Sequence, residues 1–302
     1  ALCGSLAAVS AANAGTMTVG GSANATWSNL DYGVTGNPIG MATWLTFVGS
    51  GELDNGSTFS VTIAHDDDNA YSTSNISLTT PGMGTFKYDE GGGTGLDRLD
   101  DKMPTAWEEV TGTAVGTGLR TVTGVGGVSD VEWTLPSLTD GLNVYVSFSP
   151  KPDGTAPNDK SVGGAAAGPE NGSGYDLVLE HSGLMDGLNI FGGVSTISQG
   201  SDTLTDGDRK QSAIGATYAV GGFTLGYQWS EDNTNLKTST DYYENNIYGV
   251  SFNISDDLTV SYGVNNSDRI FTSGQGTNQE TEASSFQLSY SMGGASVKIA
   301  ET

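Results

Sequence analysis

The residues best placed to do chemistry in this sequence are carboxylates, and they gather in two places. One is the run His65-Asp66-Asp67-Asp68; the other is Asp97, Asp100, Asp101, Glu108 and Glu109, interleaved with Arg98, Lys102 and Arg120. Carboxylate oxygens suit a hard cation such as Ca²⁺. The run at 66–68 lacks the spacing of an EF-hand loop and its distant bidentate Glu, and solvated loop charge is the competing reading. His65 and His181 lie far apart and Cys3 is the sole cysteine, so no His/Cys set has the spacing of a zinc site. No G-x-S-x-G elbow is present, and nothing marks a nucleophile beside a base. The sequence therefore reads as no enzyme and calls for no cofactor. What its charged residues offer is an electric field.

The elements that carry these residues are strands. Phe223, Leu225, Tyr227 and Trp229 alternate with Thr224, Gly226, Gln228 and Ser230, and Leu258, Val260, Tyr262 and Val264 alternate with Thr259, Ser261, Gly263 and Asn265. Such a period of two gives each strand one apolar face and one face of small polar groups. Fifteen stretches of this kind are expected: 16–27, 40–50, 57–65, 73–80, 84–90, 129–136, 142–150, 174–182, 188–198, 209–220, 223–231, 243–254, 258–267, 281–292 and 295–302. Their connections alternate too. Short turns such as Asn55-Gly56, Asp140-Gly141 and Asp186-Gly187 supply the positive φ of tight hairpins. Between them come longer acidic connections, about 28–39, 65–73, 91–128, 151–173, 199–208, 232–242 and 268–280. Short turns at one end and long loops at the other are the pattern of an all-β fold, a transmembrane antiparallel β-barrel. Because bacterial single-chain barrels have even strand numbers, sixteen strands are expected, the last loop and closing strand falling beyond Thr302.

Composition narrows the function classes. Of 302 residues, 36% are hydrophobic and 15% charged, with 45 glycines, so a water-filled polar interior fits better than a dry core. A net charge of −24 without a basic stripe excludes nucleic acid as partner. No apolar run is long enough for a membrane helix. Residues 1–14, apolar and ending in Ala12-Asn13-Ala14, read as the remnant of a secretory signal peptide, leaving residues 15–302 as the barrel and placing it beyond the inner membrane.

Two hairpins carry a family likeness. Gly49-Ser50-Gly51-Glu52-Leu53-Asp54-Asn55-Gly56, and Asn75-Ile76-Ser77-Leu78-Thr79-Thr80-Pro81-Gly82-Met83-Gly84-Thr85-Phe86-Lys87-Tyr88, resemble the early hairpins of the Gram-negative general porins, especially the alphaproteobacterial type. The family's closing aromatic residue is absent, and Asp89-Glu90-Gly91-Gly92 stands where Gly-Arg is common. The resemblance implies a sixteen-stranded outer-membrane barrel, usually a homotrimer among lipids, that passes small polar solutes and ions by diffusion. It further implies that the third loop folds inward, making Asp97, Asp100, Asp101, Glu108 and Glu109 of loop 91–128 the pore constriction. In the family such carboxylates face basic side chains on the wall; lumen-facing parity offers Lys87, Arg209 and Lys298 for that role. A cation preference follows from the acidic loop. Calcium near the third loop of some relatives makes Asp97, Asp100 and Asp101 candidate ligands. A non-channel β protein, an adhesin or a structural outer-membrane barrel, is the other class.

Overall fold

The computed structural model describes residues 15–28, 37–66, 73–90, 92–110, 119–127, 129–152, 171–200 and 203–302. The segment 1–14, Asp67 and Asp68, and parts of the long connections lie outside the described residues. The chain divides into two compact units, Ala1–Gly91 and Gly92–Thr302.

The first unit is an antiparallel meander of β1 (Thr16–Trp27), β2 (Ile39–Glu52), β3 (Thr58–Asp66), β4 (Thr73–Thr80) and β5 (Gly84–Asp89). Its register stacks like on like. Phe47 stands opposite Ile63, Val61 opposite Ile76, and Leu78 between Phe59 and Phe86, forming an apolar face. On the reverse face Ser60 stands between Ser50 and Ser77, and Ser77 stands opposite Lys87. Phe59, Ile63 and Ile76 are exposed to their surroundings.

The second unit continues the pattern with β6 (Asp130–Thr134), β7 (Leu142–Ser149), β8 (Asn171–Ser182), β9 (Leu188–Gln199), β10 (Arg209–Val220), β11 (Phe223–Asn233), β12 (Thr240–Asn253), β13 (Leu258–Phe271), β14 (Gln279–Met292) and β15 (Ala295–Glu301). Each pairs antiparallel with its sequence neighbour. Gly141 and Gly187 adopt φ of 78° and 79° in their turns, the conformation those Asp-Gly pairs demand. All fifteen expected strands are present, 73–80 among them. The largest differences are at β8, β12 and β13, which run three, three and four residues further toward their long connections than the alternation indicates. Apolar alternation stops there while the hydrogen-bonded ladder continues, so polar strand ends read as loop.

Burial in this unit is inverted relative to a protein folded in water. Leu177, Leu179, Val194, Ile214, Leu225, Tyr227, Tyr248, Tyr262 and Phe286 are between 42% and 62% exposed, whereas Gln228, Ser230, Asn245, Asn265, Ser285 and Gln287 are at most 2% exposed. Tyr227 and Tyr248 are register partners with ring centroids 5.0 Å apart on the apolar face. An apolar outer band over a polar inner face is the signature of strands solvated by lipid. Among the described residues no helix is long and apolar enough to cross a membrane.

Candidate functional site: a loop seated on the polar wall

The one hydrophobic core cluster among the described residues is unusual in its membership. Leu96, Leu99, Met103 and Val122 come from the long connection between β5 and β6; Val178, Phe191, Ala213 and Ile247 come from the polar face of β8, β9, β10 and β12. A loop otherwise seen as solvated charge thus lies down on the wall and buries its apolar side chains there. Each contributes about 1.5–3 kcal/mol by burial, as an upper estimate.

Why the wall accepts it is clear from the residues beneath. A Cβ on Gly226 would lie 2.5 Å from Pro104 Cδ, one on Gly249 would lie 2.9 Å from the same atom, and one on Gly263 would lie 2.9 Å from Val110 Cγ2. Glycine suits these wall positions because loop side chains, above all the rigid Pro104 ring, fill the space into which a Cβ would project.

Polar anchors fix the register. Asp176 of β8, 2% exposed, accepts hydrogen bonds from Leu96 N at 2.7 Å and Val125 N at 3.0 Å, joining the two arms of the loop to one strand. Glu132 of β6 accepts from Gly95 N at 2.8 Å and from Arg98, whose guanidinium also lies 3.6 Å above the Tyr145 ring centroid. Thr94 Oγ1 donates to Asp130 Oδ1 at 2.6 Å, and Lys102 Nζ meets Glu180 Oε1 at 2.8 Å. Farther round, Ala106 N donates to Ser261 Oγ at 2.8 Å, while Gln287 accepts from Trp107 N at 2.9 Å and donates to Glu108 O at 2.6 Å. Gly124 N donates to Gln211 Oε1 at 2.5 Å on the return arm. The backbone N–H groups of Gly95, Leu96, Ala106, Trp107, Gly124 and Val125 are therefore matched across the seam, as burial requires.

The five loop carboxylates come together in one electrostatic cluster. Asp97 Oδ2 accepts from Gly93 N at 2.7 Å. Asp100 and Glu109 line a small pocket against Gly249, Gly263 and Asn265 of β12 and β13. Burial, then the charges of Asp97, Asp101 and Glu109, raises the Asp100 carboxyl from 3.8 to about 7. Burial and the neighbouring Asp101 raise Glu109 from 4.5 to about 7. Asp101 and Glu108 are exposed. Among the described residues no group of three or more His, Cys, Asp or Glu side chains is arranged to hold a metal ion.

The three basic wall positions have separate settings. Lys87 lies on the hydroxyl-bearing face of the first unit, its Nζ 2.6 Å from Asp89 Oδ2. Arg209 opens β10 and binds both oxygens of Asp232 on β11, at 2.8 and 2.6 Å. Lys298 stands opposite Ser289 on the polar face of β15, between exposed Val297 and Ile299. Arg209 faces a wall carboxylate, and the loop's own cations Arg98, Lys102 and Arg120 likewise end on the wall carboxylates Glu132, Glu180 and Asp232. In the second unit the attraction between loop and wall thus runs from loop cations to wall anions.

Sequence reasoning missed these wall carboxylates and the glycines under the loop. A signal for the former existed: Asp176, Glu180 and Glu132 each stand at lumen parity inside strands of otherwise apolar outer face, as in Tyr175-Asp176-Leu177-Val178-Leu179-Glu180. Val178 breaks that alternation because the loop covers it.

The family model for Gram-negative porins matches residues 1–299. No curated protein matches the chain. Among solved structures, Salmonella typhi OmpF in complex with daunomycin superposes with a TM-score of 0.66 at 13% identity, covering 95% of this chain and 89% of that one. A porin refined at 1.8 Å gives 0.64 at 12% identity over 95% and 94% of the two chains. The outer-membrane-expressed OmpT of Vibrio cholerae gives 0.64 at 11% identity over 96% and 86%. At these identities the likeness establishes the fold.

Proposed function

This chain belongs to the Gram-negative porin family and is a β-barrel channel protein of the bacterial outer membrane, and from that premise we propose that it passes small hydrophilic solutes and ions by diffusion, with a preference for cations. The observation that carries the preference is the seated loop. Its three described cations are each held by a wall carboxylate, while Asp97, Asp100, Asp101, Glu108 and Glu109 gather on the loop itself. We read residues 92–127 as the constriction, where a few carboxylates between low-dielectric walls outweigh many spread over outer loops. Lys87, Arg209 and Lys298 are read as basic residues of the lumenal face. Homotrimeric assembly among outer-membrane lipids belongs to the same reading, as does the absence of any catalytic role. Calcium at Asp97, Asp100 and Asp101 belongs to it as a separate proposal.

The test is electrical. The protein, refolded into a planar bilayer, should give stable openings, and a salt gradient should produce a zero-current potential of the sign that marks cation preference. Converting the five loop carboxylates to their amides should move that potential toward zero, while neutralising Asp66, Asp67 and Asp68 should move it less. Anion preference in the unmodified channel, or equal shifts from the two sets, would place the filter elsewhere. A correctly folded barrel that never conducts would favour an adhesin or structural role.

A further inference from the structure

Although the protein carries −24, one part of the polar wall gathers positive charge. It lies at the long-connection ends of β10, β11, β12 and β13, where two guanidiniums converge on a single carboxylate and a third shares an aromatic side chain with one of them. Arg209 grips Asp232 with two nitrogens, at 2.8 and 2.6 Å, and Arg120, arriving from the return arm of the loop, donates its Nε to the same carboxylate at 3.1 Å. Asp232 is wholly buried, so its charge is spent on these two. The third, Arg269 of β13, lies with its Cζ 4.3 Å from the Phe271 centroid and 5.8 Å from the Tyr243 centroid, and donates Nε to Thr240 Oγ1 at 2.6 Å. Among the described residues it makes no ion pair. Arg120 leans on the same Tyr243 ring, 5.4 Å from its centroid, which brings the loop arginine and the wall arginine to one aromatic side chain.

The other charged groups nearby lie in the connections or on the opposite face of the ladder. Asp206, on the connection before β10, is paired with Lys237 at 3.2 Å. Asp241 is the extra residue of the bulge between Thr240 and Tyr242, and its carbonyl accepts from Thr234 N at 2.8 Å. In register Glu231, Glu244 and Asp268 stand on the face opposite Asp232 and Arg269, so the carboxylates that remain near the three arginines and Asp232 are Asp241 and, beside Arg209, Asp208. Arg120 is 42% exposed and spends one nitrogen on Asp232, which leaves its terminal amino groups for a ligand. A planar guanidinium fork matches tetrahedral oxyanions in a bidentate way, and aromatic surfaces beneath it reduce competition from water.

We propose that Arg120, Arg209 and Arg269 form an oxyanion subsite on the long-connection side of the seated loop, holding the phosphate group of a small solute before it reaches the acidic constriction. Arg120 and Arg269 contact the ligand; Arg209 takes both oxygens of Asp232, sharing that carboxylate with Arg120, and leaves the terminal amino groups of Arg120 open. In a channel whose outer connections repel anions, such a site lets phosphorylated solutes dwell at the approach. This rests on the channel reading, and the test separates the two.

The experiment uses the full-length protein and inorganic phosphate as probe, with chloride replaced at constant ionic strength. In planar bilayers, phosphate added on the long-connection side should reduce the potassium current saturably, and much less when added on the opposite side. In detergent, the ³¹P resonance of phosphate should broaden on mixing with the protein. Arg269→Gln, which touches no loop residue, should raise the half-saturating phosphate concentration about tenfold and abolish most of the broadening. Arg120→Gln should do the same with added flicker from a loosened loop, and Arg269→Lys should recover only part of the binding. Broadening that depends on Arg269 in a protein that never conducts would keep the subsite and reject the channel. Phosphate effects unchanged in both glutamine variants, or absent from the unmodified protein, would overturn the proposal.

Discussion

A single carboxylate, Asp176, holds the loop's leading and return arms together. Its two oxygens collect the backbone N–H groups of Leu96 and Val125, which have no other route to water once the core cluster closes over them. Hydrogen bonds to a charged acceptor are worth about 1.5–3 kcal/mol each, more when their loss strands a buried donor. Asp176→Ala should therefore weaken loop docking by about 3 kcal/mol while leaving the strand ladder intact. Limited proteolysis within 92–127 would accelerate by an order of magnitude or more; an unchanged cleavage rate would show that the apolar contacts suffice. Asp100 and Glu109 make the opposite case, since the seat stands against their ionisation. With both carboxyls raised to about 7, the docked loop binds more protons than a released loop between the ordinary carboxylate range and neutrality. Their contribution to docking is thus fully favourable below about pH 4 and is lost as pH rises through about 7. The loop's charge grows over the same window. Proteolytic protection should be greater at pH 5 than at pH 8, and cation preference smaller. Zero-current potentials at the two pH values measure the second; no change between them would mean the pair ionises as ordinary surface acids.

At the scale of elements, parity decides what a position tolerates. Leu225 is 49% exposed on the apolar face, and a lysine there near the middle of the hydrocarbon should cost about 2–4 kcal/mol. Thr224, the next residue, lies on the opposite face, and Thr224→Lys should cost about 1 kcal/mol or less. Denaturant unfolding from lipid vesicles compares them, and equal penalties would count against a lipid-solvated strand. Gly226 shares the parity of Thr224 yet cannot serve as the tolerant site, because Pro104 of the loop already fills the space above it. That contrast marks where sequence reading succeeds. Strand existence, face and turn type follow from local alternation and Asp-Gly pairs, which is why all fifteen strands could be placed. The polar ends of β13 and β14 were hidden because Asp268 and Glu280, directly opposite each other in register, look like loop chemistry. Like charges so paired oppose the ladder, and nothing local announces that pairing persists. The acidic cluster was legible from composition alone. Its seat was not, since which strand carries the glycine beneath Pro104 or the carboxylate beneath Leu96 is a matter of register between segments 80 or more residues apart.

For the molecule as a whole, the question is whether selectivity comes from net charge or from a filter. A charge of −24 attracts cations to both mouths of any channel, whatever its constriction contains. The two origins differ in range. At 0.01 M salt the Debye length is about 30 Å, so charges dispersed over the outer connections act on a permeating ion; at 1 M it is about 3 Å, and only groups in near contact with the ion still count. Cation preference in the unmodified protein should therefore decline steeply between these limits and then level off above zero, the residue being the share of the seated loop. In the variant carrying amides at Asp97, Asp100, Asp101, Glu108 and Glu109, the low-salt preference should survive in large part, because the remaining acids still supply the distant field. At 1 M it should vanish. Zero-current potentials measured in equal-ratio gradients centred on successive concentrations give both curves. Parallel curves that meet at zero would assign selectivity to net charge and leave the loop a purely steric part. Curves that separate as salt rises require carboxylates within a few ångströms of the ion's path, and the five on this loop are then the ones responsible.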